Sequence, residues 1–272
     1  VSAPALTEAA PTGPGFHGKM PANGDFVARR LPRSFVDPWH GWLEDGLEAS
    51  RNTLGPGWLD LYLNAPVWRF ALSGGACGAD AVAGVMIPSV DKVGRYFPMV
   101  VARPLPEDTA PALLPLAAAE PWFAAAEALA LSALDRATTV EGLERGLDGL
   151  PPLDVPAPVP GTVPEPDPLL GTRFAGRILE SLNDDSGALY GGLVHGMLRR
   201  SSGQYTVWWT DGSDRVAAGM LVAAGMPEAD AFASLLDGDW SRWSAAMPMP
   251  GASAADDGMD GFPPAAESSE WD

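Results

Sequence analysis

The stretch PVWRFALSGGACGADAVAGVMIPSVDKVGRYFPMVVAR, residues 66–103, carries three apolar segments separated by glycine-rich or polar turns. VWRFALS (67–73) alternates apolar and polar residues, and AVAGVMI (81–87) is a short apolar run, so each reads as a strand. RYFPMVVAR (95–103) follows as a third. Pro98 has no N–H for a ladder, which predicts that this third strand lies at an edge or carries a bulge. A sheet is therefore the centre of the fold, and the flanking sequence must supply what covers it.

Helical spacing appears on both sides. SFVDPWHGWLEDGLEAS (34–50) places Phe35, Trp39, Trp42, Leu43 and Leu47 on one face, with Ser34 as the expected N-cap. PWFAAAEALALSALDRA (121–137) has Pro121 at its start and Trp122, Ala126, Leu129 and Ala133 down one face. TVEGLERGLDGL (139–150) and LLGTRFAGRILESL (169–182) also read as helices, and EADAFASLLDGDWSRW (228–243) as a closing one. QYTVWWT (204–210) is a strand, and VAAGMLVAAG (216–225) is a candidate for another. This pattern predicts an α/β fold in which helices cover a sheet.

The chain has 272 residues and 46% hydrophobic content, enough for a packed core. Residues 1–15 are expected to be a flexible leader, 16–244 a single domain, and 245–272 an acidic disordered tail. PPLDVPAPVPGTVPEPDP (151–168) reads as a Pro-rich insertion loop, with an interdomain linker as the other reading. The net charge of -18 argues against a nucleic-acid partner, because a phosphate backbone would be repelled. It disfavours an anionic membrane surface for the same reason. The most apolar stretches are broken before they reach membrane-spanning length. Cys77 is the only cysteine, so no intramolecular disulfide forms, and the expected compartment is a reducing cytoplasm.

Motifs for chemistry fail one by one. GPGFHGKM (13–20) matches the phosphate-loop pattern up to Gly18-Lys19, but Met20 stands where a hydroxyl should hold Mg²⁺. Pro14 removes a backbone donor, and no buried strand precedes the loop. His17, His40 and His195 have no second ligand at zinc spacing, and no G-x-S-x-G elbow is present. DDGMDG (256–261) resembles a phosphatase metal turn but has Asp260 in place of a glycine. No cofactor, metal or catalytic residue is therefore expected. Ten tryptophans remain unexplained by chemistry. In QYTVWWT, Trp208 and Trp209 must point to opposite faces, so either the strand is covered on both sides or one indole is exposed as a binding anchor.

GFHGKMPANGDFVARRLPRSFVDPWHGWL, the 66–102 segment with its Pro-Ser-Val-Asp, Gly-Arg and Tyr-Phe-Pro elements, YTVWWTDG, and GMPEADAFASLLDGDW together resemble the TagF (ImpM) family. The resemblance spans about residues 15–243, in order. It implies a three-layer α/β/α sandwich with a mixed sheet covered by helices. It also implies a cytoplasmic, non-enzymatic, post-translational repressor of type VI secretion assembly that binds the forkhead-associated scaffold protein Fha. On this reading GKMPANGDF is a structural turn in which Gly18 and Gly24 permit tight geometry, Pro21 fixes a bend, and Asn23-Gly24 is the turn dipeptide. Asp25, Arg29 and Arg30 either pair locally or contact the partner, with Trp209 as a further candidate anchor. SVDKVGRYFP (89–98) reads as a tight turn at Gly94 in which Asp91 and Arg95 bridge. The alternatives are a hydrolase with a dispersed site using Asp25, His17 or Cys77, and a small-molecule-sensing domain; oligomeric state is left open.

Overall fold

Three strands form where the apolar runs require them: β3 (Trp68–Leu72), β4 (Val82–Ile87) and β5 (Met99–Pro104). The computed structural model describes residues 13–106, 109, 119–153 and 186–244. β1 (Gly15–Gly18) and β2 (Val27–Arg29) precede these strands, and β6 (Tyr205–Thr210) and β7 (Gly219–Ala224) follow. The seven make one sheet in the order β2-β1-β5-β4-β3-β6-β7.

Every described pairing in this sheet is antiparallel, so the expected mixed sheet is corrected. Residues 73–81 join β3 to β4 and 88–98 join β4 to β5, and neither connection contains the helix of a parallel crossover; each reverses the chain. The expected edge position of the third strand is also overturned. β5 lies inside the sheet between β1 and β4. Pro98 sits one residue before Met99, so its missing donor falls outside the ladder.

Both faces of the central strands are buried, and alternation sends their side chains to different helices. α1 (Arg33–Leu54) buries Phe35, Trp39, Leu43 and Leu47. The Trp39 ring lies 4.7 Å from Phe70 of β3 and 6.0 Å from Trp208 of β6. Trp42 donates its indole N–H to the Pro227 carbonyl at 2.8 Å, and its ring meets Phe232 at 5.3 Å. On the other face, α3 (Glu120–Ser132) and α4 (Val140–Leu147) bury Trp122, Phe123, Ala126, Leu143 and Leu147 with Ala71, Val85 and Val101. Arg69, which the alternating pattern would send to water, belongs to this second face. It is buried and held by Glu120 at 2.7 Å and Glu127 at 3.1 Å.

Several helix ends differ from the expected ones. α1 starts at Arg33, with the extended residue Pro32 as its cap, and Ser34 does not cap it. The Pro32 carbonyl instead accepts from the N–H groups of Phe35 and Val36. Pro38, inside α1, has no N–H for the Ser34 carbonyl one turn earlier. Gly78, in the β3–β4 turn, abuts that oxygen: a Cβ there would lie 2.3 Å from it. α4 is capped by Thr139, whose hydroxyl accepts from Gly142 N–H. A short helix, α2 (Trp58–Leu63), follows α1.

α5 (Ser186–Ser202) was not expected, because its glycines and small residues blur the helical period. The closing helix proves segmented. A 3₁₀ turn (Ala229–Ala233) runs into α6 (Ser234–Asp237), which stops at Gly238 with φ 76°. The described residues up to Asp239 belong to one compact unit, and residues 240–244, with the short α7 (Ser241–Ser244), to a second. The expected leader, most of the Pro-rich loop (154–168), the 169–182 helix and the acidic tail lie outside the described residues. At the leader's end, Gly15 already belongs to β1.

Candidate functional site

The site grows from two turns that the sequence places 70 residues apart. The first joins β1 to β2. Asn23 N–H donates to the Met20 carbonyl at 3.0 Å, which puts Pro21 and Ala22 at the corner rather than Asn23-Gly24. Gly18 has φ 144°, and a Cβ on it would stand 2.2 Å from the Pro98 carbonyl oxygen. Gly24, by contrast, has open space around it, so its expected tight-geometry role is not seen; its carbonyl accepts from Arg95 Nη2 instead.

The second turn, between β4 and β5, is organised by Asp91. Gly94 takes φ 91° there, and Gly94 N–H donates to the Asp91 carbonyl. Asp91 Oδ1 accepts from the backbone N–H of Val93 at 3.0 Å and of Arg95 at 2.9 Å. Oδ2 accepts from Lys19 Nζ at 2.9 Å and Arg95 Nε at 2.6 Å. The Asp91 side chain is 0% exposed and that of Lys19 is 6%. Burial pushes the Asp91 carboxyl up, but the Arg95 N–H, Lys19 and the remaining donors outweigh it and hold the group well below the usual carboxylate range. Lys92 N–H donates to the Asn23 carbonyl at 2.9 Å and ties the two turns directly.

Lys19 thus meets a buried carboxylate where the phosphate-loop pattern would put a phosphate. Met20, at the position of the missing hydroxyl, is fully buried in the core. The Asp91–Arg95 bridge is as expected; the Lys19–Asp91 pair is the part that local reasoning missed, and only its type of residue, a lysine amid apolar neighbours, hinted at it.

Beside these turns lies an aromatic group. His17 on β1 and His40 on α1 face each other, Nε2 to Nδ1 at 3.1 Å, and His40 Nε2 is 3.4 Å from Glu44. Burial, and secondarily the charge of His40, push the His17 imidazole down to about 4, so it is neutral at pH 7. Phe26 lies 4.7 Å from His40 and 4.8 Å from Phe97, with the Lys19 ammonium over its ring, yet it remains 43% exposed. Asp25, next to it in the chain, and Val93, in the second turn, are exposed.

The four expected contact residues do not form one patch. Asp25 stands on the outer face of the paired turns, 3.9 Å from Arg95 Nη2. Arg29 and Arg30 turn instead to α4: Arg29 reaches Glu144 at 3.4 Å, and Arg30 pairs with Glu144 and Asp148. Trp209 is half-buried, with its ring 4.8 Å from Phe123. It sits on β6, four strands away from β1, or about 19 Å at ordinary strand spacing. Trp208 is fully buried, so this strand is covered on both sides, as one of the two readings held. Cys77 is buried, and desolvation pushes its thiol up to about 12, which leaves no reactive thiolate at neutral pH. Among the described residues no group of three His, Cys, Asp or Glu side chains is placed to hold a metal, and no helix is long and apolar enough to cross a membrane.

An antiparallel-sheet α/β protein whose signature residues lock neighbouring turns is the class these observations define. The chain belongs to the family described as TagF N-terminal domain, type VI secretion system-associated, which matches residues 15–150. Among solved structures it is similar to PA0076 from Pseudomonas aeruginosa PAO1, with 36% identity and a TM-score of 0.66. That match covers 83% of this chain and 94% of the other. No curated protein matches.

Proposed function

We propose that this chain is a cytoplasmic negative regulator of type VI secretion assembly that binds and sequesters an Fha-type forkhead-associated protein. The family membership over residues 15–150 carries this reading. Its fine geometry supports it: the two signature turns spend Lys19, Asp91 and Arg95 on holding each other, and so present Asp25, Phe26 and Val93 on a fixed outer face. A rigid, partly apolar, charged-rimmed face suits a protein partner, because little ordering entropy is lost on docking. On this reading the fold is a three-layer α/β/α scaffold that works without a cofactor and makes or breaks no bond.

Pull-down with purified Fha tests it. The folded chain is expected to retain Fha at micromolar concentration. Absence of binding, with the chain shown to be folded, would remove the proposal.

A further inference from the structure

At the end of β4 away from the Asp91 turn, the surface carries a second feature that the proposed partner face does not use; its two charged lining residues, Asp80 and Arg199, are exposed. A cavity of about 560 Å³ opens there, within the size range of small-molecule sites. The β3–β4 turn forms one wall with Ser73, Gly74, Gly75 and Asp80; Thr109 and two residues of α5, His195 and Arg199, form the rest of its polar lining.

Three observations give the cavity a chemical character. Arg199 is a cation with one N–H committed, to the Gly74 carbonyl at 2.9 Å, and among the described residues no carboxylate lies within ion-pair distance of it. Thr109, 7% exposed, lines the same cavity, and its hydroxyl makes no hydrogen bond to a described residue. His195 is fixed by a 2.6 Å hydrogen bond between its Nδ1 and the Tyr205 hydroxyl, leaving Nε2 as its second polar atom. Burial and the neighbouring Arg199 charge both hold His195 below its ordinary value, so near neutral pH it contributes a neutral ring. Asp80 lines the same space and adds an acceptor.

We infer that this cavity binds a small molecule that presents a carboxylate or phosphate to Arg199 and Thr109 and a hydroxyl or ammonium donor to Asp80. An anion alone would meet Asp80 unfavourably, and a cation alone would meet Arg199. Only a ligand with both ends satisfies both walls, and guanidinium geometry suits either oxyanion. The site sits at the opposite end of β4 from the Asp91 turn, so it is independent of the proposed Fha face.

Calorimetric titration of the full chain, without Fha, tests this with O-phosphoserine and malate as the two probes and glycerol as a neutral comparison. At least one of the two anions is expected to bind saturably, one per chain, and to raise Tm; which one does distinguishes phosphate from carboxylate recognition. Arg199→Gln is expected to weaken that binding tenfold or more. Thr109→Val, which keeps the shape, is expected to weaken it severalfold with an unchanged urea midpoint. Arg136→Gln, an exposed arginine elsewhere, is expected to leave it unchanged. Failure of both anions to bind, or equal binding by Arg199→Gln, would overturn the site. Tighter binding by Asp80→Asn would overturn its two-ended character.

Discussion

Gly18→Ala is expected to lower stability by on the order of 4 kcal/mol, at the severe end for one substitution. Two costs coincide. The backbone φ of 144° is one that L side chains rarely adopt, and the new Cβ would stand 2.2 Å from the Pro98 carbonyl and 2.7 Å from Met99 Cα. The obstacles are backbone atoms at the start of β5, inside the sheet, so no side-chain rotation relieves them. Relief requires β1 to move off β5, which opens the contact between Phe16, Met20 and the core. Gly24→Ala, six residues on, faces open space and is expected to be close to neutral. Urea unfolding of the two variants side by side measures the contrast. Equal midpoints would contradict the close approach of Gly18 to Pro98.

Asp91→Asn carries the second large effect, a loss of about 3–5 kcal/mol, the range for removing one partner of a buried ion pair. The amide keeps an oxygen for the Val93 and Arg95 N–H groups but leaves the buried Lys19 ammonium without a counter-charge. Lys19→Met added to Asp91→Asn removes that stranded charge, so the double variant is expected to be more stable than Asp91→Asn alone. The pH dependence has a definite sign. The folded-state carboxyl lies below its ordinary value. Its contribution is therefore complete above about pH 4, where the unfolded group ionises, and is lost as pH falls through the folded value. The stability gap between the natural chain and Asp91→Asn should be constant from pH 7 to pH 5 and narrow below pH 4. A gap that stays constant into acid would show that Asp91 is not the titrating member.

What the sequence discloses follows from the range of the forces involved. β3, β4 and β5 were legible because apolar runs ended in turn residues, and α1, α3 and α4 because their apolar positions recur at helical spacing. GFHG, by contrast, has a glycine at each end and only four residues, too few for a period to show, so β1 went unread between the leader and the GKMPANGDF turn. α5 was hidden because glycines lower both propensity and contrast. Pro98 misled because the missing donor matters only within the ladder, and one residue decides whether it lies inside.

The candidate site divides the same way. Asp91 and Arg95 are four residues apart, so local spacing revealed their bridge; Lys19 and Asp91 are joined only by the fold. Arg29 and Arg30 were assigned to the turn, but α4 offers Glu144 and Asp148 across the β2 end of the sheet. Likewise Arg199 and Thr109 share a wall that no spacing announces.

The central claim is that the paired turns held by Asp91 form the face that engages Fha. The most direct measurement is the affinity of purified Fha for Asp25→Arg and Val93→Asp, two exposed positions on that face, against Met220→Ser on the far edge strand β7. The account predicts that the two turn variants, folded as well as the parent chain, bind at least tenfold more weakly while Met220→Ser binds normally. Undiminished binding by both turn variants would contradict it.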